Sequence, residues 1–298
     1  MPGPVSRLLF CLALALGAFA AHAKPLTLDI YNPGSDAIFP VTSVLIAGEK
    51  ELILVDAQFE KKHAEALVKK IRDSGKKLTT IYISHYEPDF YFGADHLLKA
   101  FPEAELIATS VNVSTISSAY KQHQQQWQSI LGDQAPARII QPKPLVGDTL
   151  QLEGEVIEVQ GVTDPDPDRN RTFLWIPSLK TLLGGMWLTG NSHLRISDAA
   201  IAESRHIWLQ VLDSMTRLEP EKVIPGRMVP NRDGSWPTDP AVIAFNRDYL
   251  VKLAEAENNS ENAEQLIAAM EKNYPELATK PTLVFTAKVL KGEETGSQ

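Results

Sequence analysis

A histidine, a glutamate and an aspartate follow one another at two-residue intervals in the stretch SHYEPDFYFG, as His85, Glu87 and Asp89. Alternate side chains leaving a β-strand point the same way, so the three groups can converge on one spot. Imidazole and carboxylate are both zinc ligands, and three protein ligands plus water form the usual catalytic zinc site. The spacing alone is equally consistent with polar residues of a solvated loop. The stretch therefore indicates a metal site, the remnant of one, or an ordinary loop.

The elements around this stretch place it at a strand-to-helix junction. The run TTIYIS directly before it is rich in β-branched residues and predicts a buried strand, and ADHLLKAF after it predicts a short helix. Upstream, residues 41–59 predict a hairpin whose second strand ends at Asp56. Apolar residues then recur at helical spacing from Lys61 to Ser74. Junctions at the carboxyl ends of strands are where layered α/β folds place their ligands.

The rest of the chain continues this alternation of helices and strands. Residues 110–131 and 199–218 carry apolar residues at helical spacing, and TLQLEGEVIEVQ predicts a hairpin about Glu153-Gly154. The runs TFLWIP, TLLGGMWL and KVIPG predict three more strands. From Thr238 onward the composition is largely helical. This order of elements predicts two sheets between helical layers.

Four separated motifs give the sequence a specific resemblance to a known family. HYEPDFYFG, at residues 85–93, is similar to the signature H-x-H-x-D-H-x-G-G of the metallo-β-lactamase superfamily. Three later motifs resemble that family's G-H-T, L-x-G-D and V-x-P-G-H in the same order, namely GVT at 161–163, LGGM at 183–186 and VIPGR at 223–227. Four ordered motifs over about residues 28–230 are much more specific than one. The resemblance implies an α/β (α+β) fold, a four-layer αββα sandwich, with a helical C-terminal extension.

The same resemblance implies a zinc pair at these positions, but most of the family's ligands are replaced here. His85 and Asp89 keep the family's residues, and Glu87 exchanges a histidine for a carboxylate that can still bind a metal. Three histidines and the bridging aspartate are replaced by Phe90, Val162, Met186 and Arg227. Zinc needs about four donors, so the zinc pair is not expected to form and no cofactor is predicted. The alternative is one zinc or other divalent metal held by His85, Glu87 and Asp89.

Arg227 is predicted to take the place of the lost cation. Its guanidinium carries a permanent charge, which would repel a divalent ion beside it. We expect it to make a bidentate contact with Asp89 or Glu87 and to neutralise a buried carboxylate. The alternative is that Arg227 points to solvent.

Other residues are weaker candidates for the same pocket. His193 follows the strand that carries the lost aspartate, and it is predicted either as a pocket residue or as an exposed loop histidine. The resemblance places five aromatic residues near the pocket mouth, where they would stack on a ligand or simply pack: Tyr86, Tyr91, Phe92, Trp187 and Trp236. The acidic run at 163–168 indicates a calcium site or, since prolines separate its acids, a rigid solvated turn.

The first 23 residues differ from the rest and predict a signal peptide. A lone positive charge at Arg7 precedes the apolar run LLFCLALALGAFA and the small-residue cleavage site Ala21-His22-Ala23. The run is shorter than the ~20 residues of a membrane span, so no stable membrane insertion is expected after cleavage. Cys11, the only cysteine, lies within this segment. Export without disulfides predicts a periplasmic or secreted bacterial protein.

Composition restricts the partners and the domain organisation. The chain has 298 residues, 44% of them hydrophobic and 22% charged, which is typical of a soluble globular protein. Without residues 1–23 it carries 28 basic and 37 acidic residues, and this net charge of −9 opposes nucleic acid binding. We expect a metallo-β-lactamase-like domain at 24–237 and a helical extension with a disordered tail at 238–298.

Three function classes remain open on the sequence alone. The first is a zinc-free member of the superfamily that binds a small molecule in the old active-site cleft, and it is the favoured interpretation because four lost donors exceed what one loop histidine can replace. The second is a hydrolase with an altered, single-metal centre that uses Asp89 as base. The third is a protein-interaction module with a vestigial cleft. A cleft lined by aromatic residues with converging polar groups would favour the first class, and a broad exposed apolar patch on a helical face would favour the third.

Overall fold

The computed structural model describes residues 25–167, 169–196 and 200–294. The predicted signal peptide at 1–23, Asp168 of the acidic run and the last four residues lie outside the described residues. Within them, strands and helices follow the predicted order. The result is a mixed α/β fold in which two sheets face each other between helices.

The first sheet has six strands in the order β1-β2-β3-β4-β5-β6. The strands are β1 Thr27–Tyr31, β2 Ser43–Ala47, β3 Glu51–Val55, β4 Lys77–Ile83, β5 Glu105–Ala108 and β6 Lys143–Pro144. β1, β2 and β3 pair antiparallel, and β3 to β6 pair parallel. The predicted hairpin is β2–β3, and the stretch SHYEPDFYFG leaves the carboxyl end of β4, as its sequence predicts.

The second sheet has five strands in the order β12-β10-β9-β8-β7. The strands are β7 Thr149–Leu152, β8 Glu155–Val162, β9 Arg171–Ile176, β10 Thr181–Leu183 and β12 Lys222–Ile224. Only β10 and β12 pair parallel. A short parallel pair, β11 Thr189–Gly190 with β13 Arg227–Met228, lies beyond this sheet and carries residues of the candidate site.

Eight α-helices are formed by the described residues. They are α1 Lys61–Ser74, α2 Pro88–Tyr91, α3 Ala94–Ala100, α4 Ser110–Leu131, α5 Ala202–Arg217, α6 Ala241–Asn258, α7 Ala263–Asn273 and α8 Lys280–Leu290. The bounds of α1 and α4 are those that the apolar spacing predicts, and α1 ends before Gly75 at φ +66°, which glycine adopts without strain. In the described part of the chain, none of these helices combines the length and the apolar composition that a bilayer crossing requires.

Alternating side chains of the strands divide the core into layers. In β3, Ile53 and Val55 point between the two sheets, where they pack with Leu174 and Ile176 of β9. Leu52 and Leu54 point to the opposite face and join the core beneath the helices. Buried side chains of α1 and α3 belong to the same core cluster as Leu52 and Leu54, and α5 packs on β8 and β9 of the second sheet. This is the predicted four-layer αββα sandwich.

The strand predicted over TLLGGMWL ends earlier than expected. β10 stops at Leu183, and residues 185–187 form a 3₁₀ turn. The backbones of Gly185 and Gly226 approach so closely that a Cβ on Gly226 would lie 2.2 Å from the carbonyl oxygen of Gly185. Gly185 itself has φ +52°, where an L side chain is strained. The paired glycines therefore turn the chain away from the sheet and bring Met186 next to Arg227.

The helical segment predicted from residue 238 packs back onto the sandwich through α6. Asn246 of α6 is completely buried. Its Oδ1 accepts a hydrogen bond from the backbone N–H of Thr189 at 3.0 Å, and its Nδ2 donates to the backbone carbonyl oxygen of Thr189 at 2.9 Å. Asn246 thus makes the two backbone hydrogen bonds with Thr189 that a neighbouring strand would make. It also links α6 to the strand pair that bears Arg227.

We expect Asn246→Ala to lower the free energy of unfolding by about 2–4 kcal/mol, because both backbone groups of Thr189 would be buried without a partner. Urea unfolding followed by circular dichroism measures the change. Asn258→Ala, an exposed change at the end of the same helix, is the control and should stay within about 0.5 kcal/mol of the wild type. Equal stability of the two variants would contradict this role of Asn246.

Candidate functional site

Arg227 forms a buried ion pair with Asp89 at the centre of the site. Its Nε–H and Nη2–H both donate to Oδ2 of Asp89, at 3.0 and 2.5 Å. Asp89 is 1% exposed and Arg227 8%. The predicted contact with Asp89 is therefore present, but both donors converge on one carboxylate oxygen instead of each donating to a different one. The alternative in which Arg227 points to solvent is wrong.

The other contacts of the Arg227 guanidinium are with one sulfur atom and two aromatic rings. Nη1 donates to the thioether sulfur of Met186 at 3.0 Å. The guanidinium carbon lies 5.2 Å from the ring centroid of Phe90 and 5.7 Å from that of Phe39. Two residues that replace family metal ligands, Met186 and Phe90, therefore pack around a third, Arg227. A thioether and a ring face suit a weakly hydrated organic cation.

Glu87 faces a second arginine that the sequence reasoning missed. Its Oε2 lies 3.7 Å from Nη2 of Arg195, and both side chains are 14% exposed. The guanidinium of Arg195 also lies 5.4 Å from the ring centroid of Phe285. Arg195 stands two residues after His193, and this proximity to a candidate pocket residue is the signal in the sequence that could have found it. Each carboxylate of the predicted triad therefore faces its own arginine.

His85 is enclosed by aromatic rings. It is 2% exposed, stacks on Tyr86 with 4.2 Å between ring centroids, and meets the ring of Trp187 edge-on at 5.2 Å. Its Nδ1 accepts a hydrogen bond from the backbone N–H of Glu87 at 3.2 Å. The imidazole therefore packs in the core of the loop and holds the turn that follows β4.

The donor set does not fit the zinc pair that these positions hold in relatives. Across residues 25–167, 169–196 and 200–294, no group of three or more His, Cys, Asp or Glu side chains is placed to hold a metal ion. Asp89 and Glu87 face guanidinium groups, and Phe90 and Val162 offer no donor atoms. A zinc ion needs about four close donors, and a fixed guanidinium charge opposes it.

Asp56, at the hairpin end, positions the loop that carries His85. Its Oδ1 accepts from the backbone N–H of Ser84 and its Oδ2 from the Ser84 hydroxyl, each at 2.8 Å. Burial raises the pKa of the Asp56 carboxyl to about 7, although both hydrogen bonds from Ser84 act to lower it. Asp56 holds this place with a left-handed backbone at φ +63°, a conformation that costs energy for a residue with a side chain.

Arg227 lines a partly open cavity of about 290 Å³. His193 and Arg195 line the same cavity, together with Phe39. Thus two of the predicted pocket residues, Arg227 and His193, share a wall, whereas His85, Glu87 and Asp89 do not line this cavity. The carboxylates act on the cavity only through the arginines that they face.

His193 is buried, so the alternative of an exposed loop histidine is wrong. It is 2% exposed, and its Nδ1 lies 2.9 Å from the hydroxyl oxygen of Tyr249 in α6. Burial lowers the pKa of the imidazole to about 4, so the ring is neutral at pH 7. Its Nε2 has no hydrogen-bond partner among the residues that the structure describes.

The first turn of α8 also reaches the cavity, which the sequence reasoning did not predict. Thr279, Pro281 and Thr282 line it. Thr279 precedes α8 with φ +61°, a strained value for a β-branched residue. The neighbouring Ala278 fixes this position, since its N–H donates to the carbonyl oxygen of Asn191 at 3.1 Å. A threonine followed two residues later by proline is a helix-start signal, but nothing local indicates where that helix packs.

The aromatic residues expected at the pocket mouth lie elsewhere or pack in the core. Tyr91 and Phe92 are buried, and the Tyr91 hydroxyl pairs with His123 of α4 at 3.1 Å. Trp187 is buried, with the guanidinium of Arg171 over its ring at 4.0 Å. Trp236 lines a different, open cleft, and Tyr86 is the ring that stacks on His85. Trp236 therefore does not lie at the mouth of this cavity, as was expected. The other four aromatic residues pack against neighbouring side chains, which was the alternative.

The acidic run behaves as a turn in its described part. Oδ1 of Asp164 accepts a hydrogen bond from the backbone N–H of Asp166 at 2.9 Å. Oδ2 of Asp164 lies 3.2 Å from Nε of Arg169. These contacts match the predicted turn, with Asp168 outside the described residues.

Comparisons with known proteins agree on the family and the fold. The sequence profile of the metallo-β-lactamase superfamily matches residues 37–227. The fold is similar to the crystal structure of DIM-1 metallo-β-lactamase, with 19% identity, a TM-score of 0.52, and coverage of 77% of this chain and 98% of that one. It is also similar to a metallo-β-lactamase from Pontibacter korlensis, with 14% identity, a TM-score of 0.50, and coverage of 76% and 93%. No curated protein sequence gives a match.

A double-mutant cycle tests the ion pair. We expect Asp89→Asn and Arg227→Met each to lower the free energy of unfolding by about 3–5 kcal/mol, because each leaves one buried partner uncompensated. The double variant should lose less than the sum by at least about 1.5 kcal/mol. Urea unfolding of the four proteins gives the coupling energy.

The matched control for this cycle is the exposed pair of Arg232 and Glu276, whose closest atoms are 2.6 Å apart. Arg232→Met and Glu276→Gln should couple by less than about 1 kcal/mol, because solvent screens the two charges. Additive effects of Asp89→Asn and Arg227→Met would show that this pair does not hold the site together.

Proposed function

Because the chain belongs to the metallo-β-lactamase superfamily, we propose that it is a member without the zinc pair, which binds a small molecule in the cavity beside Arg227. The binding site occupies the family's former active-site cleft. It consists of the cavity wall formed by Arg227, Arg195 and His193, supported from behind by Asp89 and Glu87.

The observation that carries this proposal is the position of the Arg227 guanidinium. Its two donors occupy Oδ2 of Asp89, and a third reaches the sulfur of Met186. Arg227, Asp89 and Met186 stand at three of the positions that supply metal ligands in the superfamily. An arginine cannot lose its charge at physiological pH, so it competes permanently with a divalent ion for the same carboxylate.

The same contact argues against hydrolysis by this centre. A general base must reach the proton of the attacking water with a free carboxylate oxygen. Oδ2 of Asp89 instead accepts two charge-assisted hydrogen bonds from Arg227, so this oxygen is already engaged. Without a metal to activate water, binding is the function that the remaining groups support.

The distribution of exposed apolar side chains favours a small-molecule ligand over a protein partner. In the part of the chain that the structure describes, the exposed large hydrophobic residues lie on six separate segments: Ile38, Ile130, Val146, Val156, Ile201 and Val284. The long helix α4 carries a single one of them, Ile130. Polar groups, by contrast, converge on the cavity, which is typical of ligand sites.

Export is the second part of the proposal, and it rests on the sequence of residues 1–23. A short apolar run between Arg7 and a small-residue cleavage site is the pattern of a secretory signal. We expect the protein to act in the bacterial periplasm or outside the cell after cleavage at Ala23.

Intact-mass spectrometry tests the export proposal. When the full chain is expressed in a Gram-negative host, the periplasmic fraction should contain a protein that begins at Lys24. Ala21→Gln with Ala23→Gln should block the cleavage, because both small positions of the site are lost. A full-length mass in the cytoplasm of the wild type would overturn the proposal.

Metal content tests the zinc-free proposal. The mature protein, purified without chelator, should contain less than about 0.1 equivalent of zinc, iron or manganese by elemental analysis, because the donor set is too small. Added zinc should leave the midpoint of thermal unfolding unchanged, since a ligand that does not bind cannot stabilise the fold. About one equivalent of bound metal would overturn the proposal and favour the single-metal hydrolase.

A further inference from the structure

We propose that His63 makes the loop of residues 32–42 an acid-sensitive gate on the cavity beside Arg227. The loop joins β1 to β2, and three consecutive residues of it, 38–40, line that cavity. At neutral pH the loop is fastened to the start of α1, and protonation of His63 releases it. The inference rests on the proposed function for the use of the cavity, and it adds how access to the site is regulated.

Two side chains at the start of α1 hold the loop. Oε2 of Glu60, a residue that is 5% exposed, accepts a hydrogen bond from the backbone N–H of Ile38 at 3.1 Å. Nζ of Lys62 donates to the backbone carbonyl oxygen of Asp36 at 2.7 Å and lies 3.2 Å from Oδ2 of the same residue. Lys62 is also 3.6 Å from Oε1 of Glu60, so one ammonium group joins both carboxylates. We call this polar cluster the clasp, and its members are Asp36, Glu60, Lys62 and His63.

His63 is buried in the clasp with one ring nitrogen that makes no hydrogen bond. It is 4% exposed, and its Nδ1 lies 2.9 Å from the hydroxyl oxygen of Tyr31 at the end of β1. Its Nε2 has no hydrogen-bond partner among the residues that the structure describes. Oε2 of Glu60 at 3.7 Å and Oδ2 of Asp36 at 3.9 Å face it from beyond hydrogen-bond distance. A neutral ring fits this position better than a charged one.

A proton added to His63 is poorly compensated while the loop is closed. An imidazolium carries an N–H on each ring nitrogen, and a buried N–H without an acceptor costs free energy. The two carboxylates that face Nε2 are already paired with Lys62, and Oε2 of Glu60 is the atom that holds Ile38. The charged ring is therefore stable when it reaches water, and that requires the loop to move.

The charged and titratable groups that face His63 leave the neutral ring favoured. They are Tyr31 on β1, Asp36 in the loop, and Glu60 and Lys62 at the start of α1. Burial raises the pKa of Tyr31 to about 12, so it stays a neutral phenol. Burial is also the largest effect on His63 and lowers the pKa of its imidazole; Lys62 lowers it further, although Glu60 and Asp36 act to raise it.

The sign of the pH dependence follows from this lowered pKa. An open loop exposes His63 to water, where a histidine has an ordinary pKa of about 6.5. The proton therefore binds more weakly to the closed loop than to the open one. Opening becomes more favourable as the pH falls below about 6.5, and neutral pH favours the closed loop.

Asn32 ties the two ends of the loop together. Its Oδ1 accepts a hydrogen bond from the backbone N–H of Gly34 at 2.8 Å, and its Nδ2 donates to the carbonyl oxygen of Pro40 at 2.8 Å. The same Nδ2 donates to the hydroxyl of Thr42 at 3.0 Å. Loss of the clasp therefore frees the segment between these ends, residues 33–39, which includes two residues of the cavity wall.

Aromatic contacts limit how far the loop opens. The ring of Phe39 lies 5.6 Å from that of Phe59 and 5.5 Å from that of Trp127, measured between centroids. These apolar contacts do not titrate, so acid raises the fraction of open loop without detaching the loop permanently. An exported protein meets the pH of its surroundings, and the gate links access to the cavity to that pH.

Hydrogen–deuterium exchange of the mature protein at about pH 7.5 and about pH 5.5 tests this inference. After correction for intrinsic exchange, the amides of residues 33–39, that of Ile38 included, should exchange about threefold to tenfold faster at the lower pH. The upper limit follows from a histidine pKa of about 6.5 in the open loop. Hydroxyl-radical footprinting at the same two pH values should show a parallel rise in the oxidation of Phe39, which lines the cavity.

Three variants assign the effect to His63, after circular dichroism has shown that each is folded. His63→Gln carries no titratable group, so the pH dependence of residues 33–39 should disappear. Lys62→Gln should speed exchange at about pH 7.5 and reduce the acid effect, because an imidazolium can then pair with the carboxylates that Lys62 leaves. His96→Gln is the matched control and should keep the wild-type pH dependence. Nε2 of His96 is also buried without a described partner and burial lowers the pKa of this histidine, but it lies in α3.

The outcomes separate this inference from the proposed function. Equal exchange of residues 33–39 at the two pH values overturns it, and so does slower exchange in acid, which would mean that a charged His63 tightens the clasp. A pH dependence that persists in His63→Gln, or faster exchange without more oxidation of Phe39, also overturns the gate. None of these measurements involves a ligand or a metal. Stoichiometric metal would therefore overturn the proposed function and leave the acid-sensitive loop standing.

Discussion

The buried ion pair of Arg227 and Asp89 is the interaction on which the rest of the site depends. Removing each charge from water costs several kcal/mol, and only close hydrogen bonds compensate for that cost. The two donors of Arg227 meet one oxygen of Asp89 at 3.0 and 2.5 Å, so the compensation is direct. Because the guanidinium is permanently charged, the loop after β4 and the strand β13 must stay together. The pair therefore fixes the position of Arg227 in the wall of the cavity.

The backbone contact between Gly185 and Gly226 brings Met186 and Arg227 together, whatever their side chains are. Gly226 donates its N–H to the carbonyl oxygen of Gly185 at 3.0 Å. A Cβ on Gly226 would collide with Gly185, and Gly185 has φ +52°, which strains a residue with a side chain. The residues that follow these glycines, Met186 and Arg227, consequently touch. In the superfamily the same positions supply metal ligands. The scaffold thus determines which positions meet, and the side chains there determine whether they hold a metal or a guanidinium.

The features that the sequence predicts are those set by local patterns or by ordered motifs. The bounds of α1 and α4 follow from apolar spacing. Substitutions at aligned positions predict that Arg227 pairs with Asp89 or Glu87, and the structure shows that Asp89 is the partner. Arg195 and the first turn of α8 could not be placed in this way. Their positions depend on how α8 packs and on contacts between residues more than 80 positions apart, such as His193 with Ala278. Local periodicity carries no information about such packing, so Arg227 and His193 were predictable members of the cavity wall, whereas Arg195 and the first turn of α8 were visible only in the structure.

The C-terminal helices change what the former cleft can do. In a hydrolase an open cleft admits water and releases products, whereas here α8 closes one side of the cavity and α6 supports His193 through Tyr249. The helix α6 is tied to the strand pair that carries Arg227, since Asn246 of α6 pairs with Thr189 of β11. The extension therefore encloses the centre that has lost its metal ligands. A less polar environment strengthens the hydrogen bonds and ion pairs that the buried groups of this centre make, so the C-terminal helices reinforce the contact between Arg227 and Asp89.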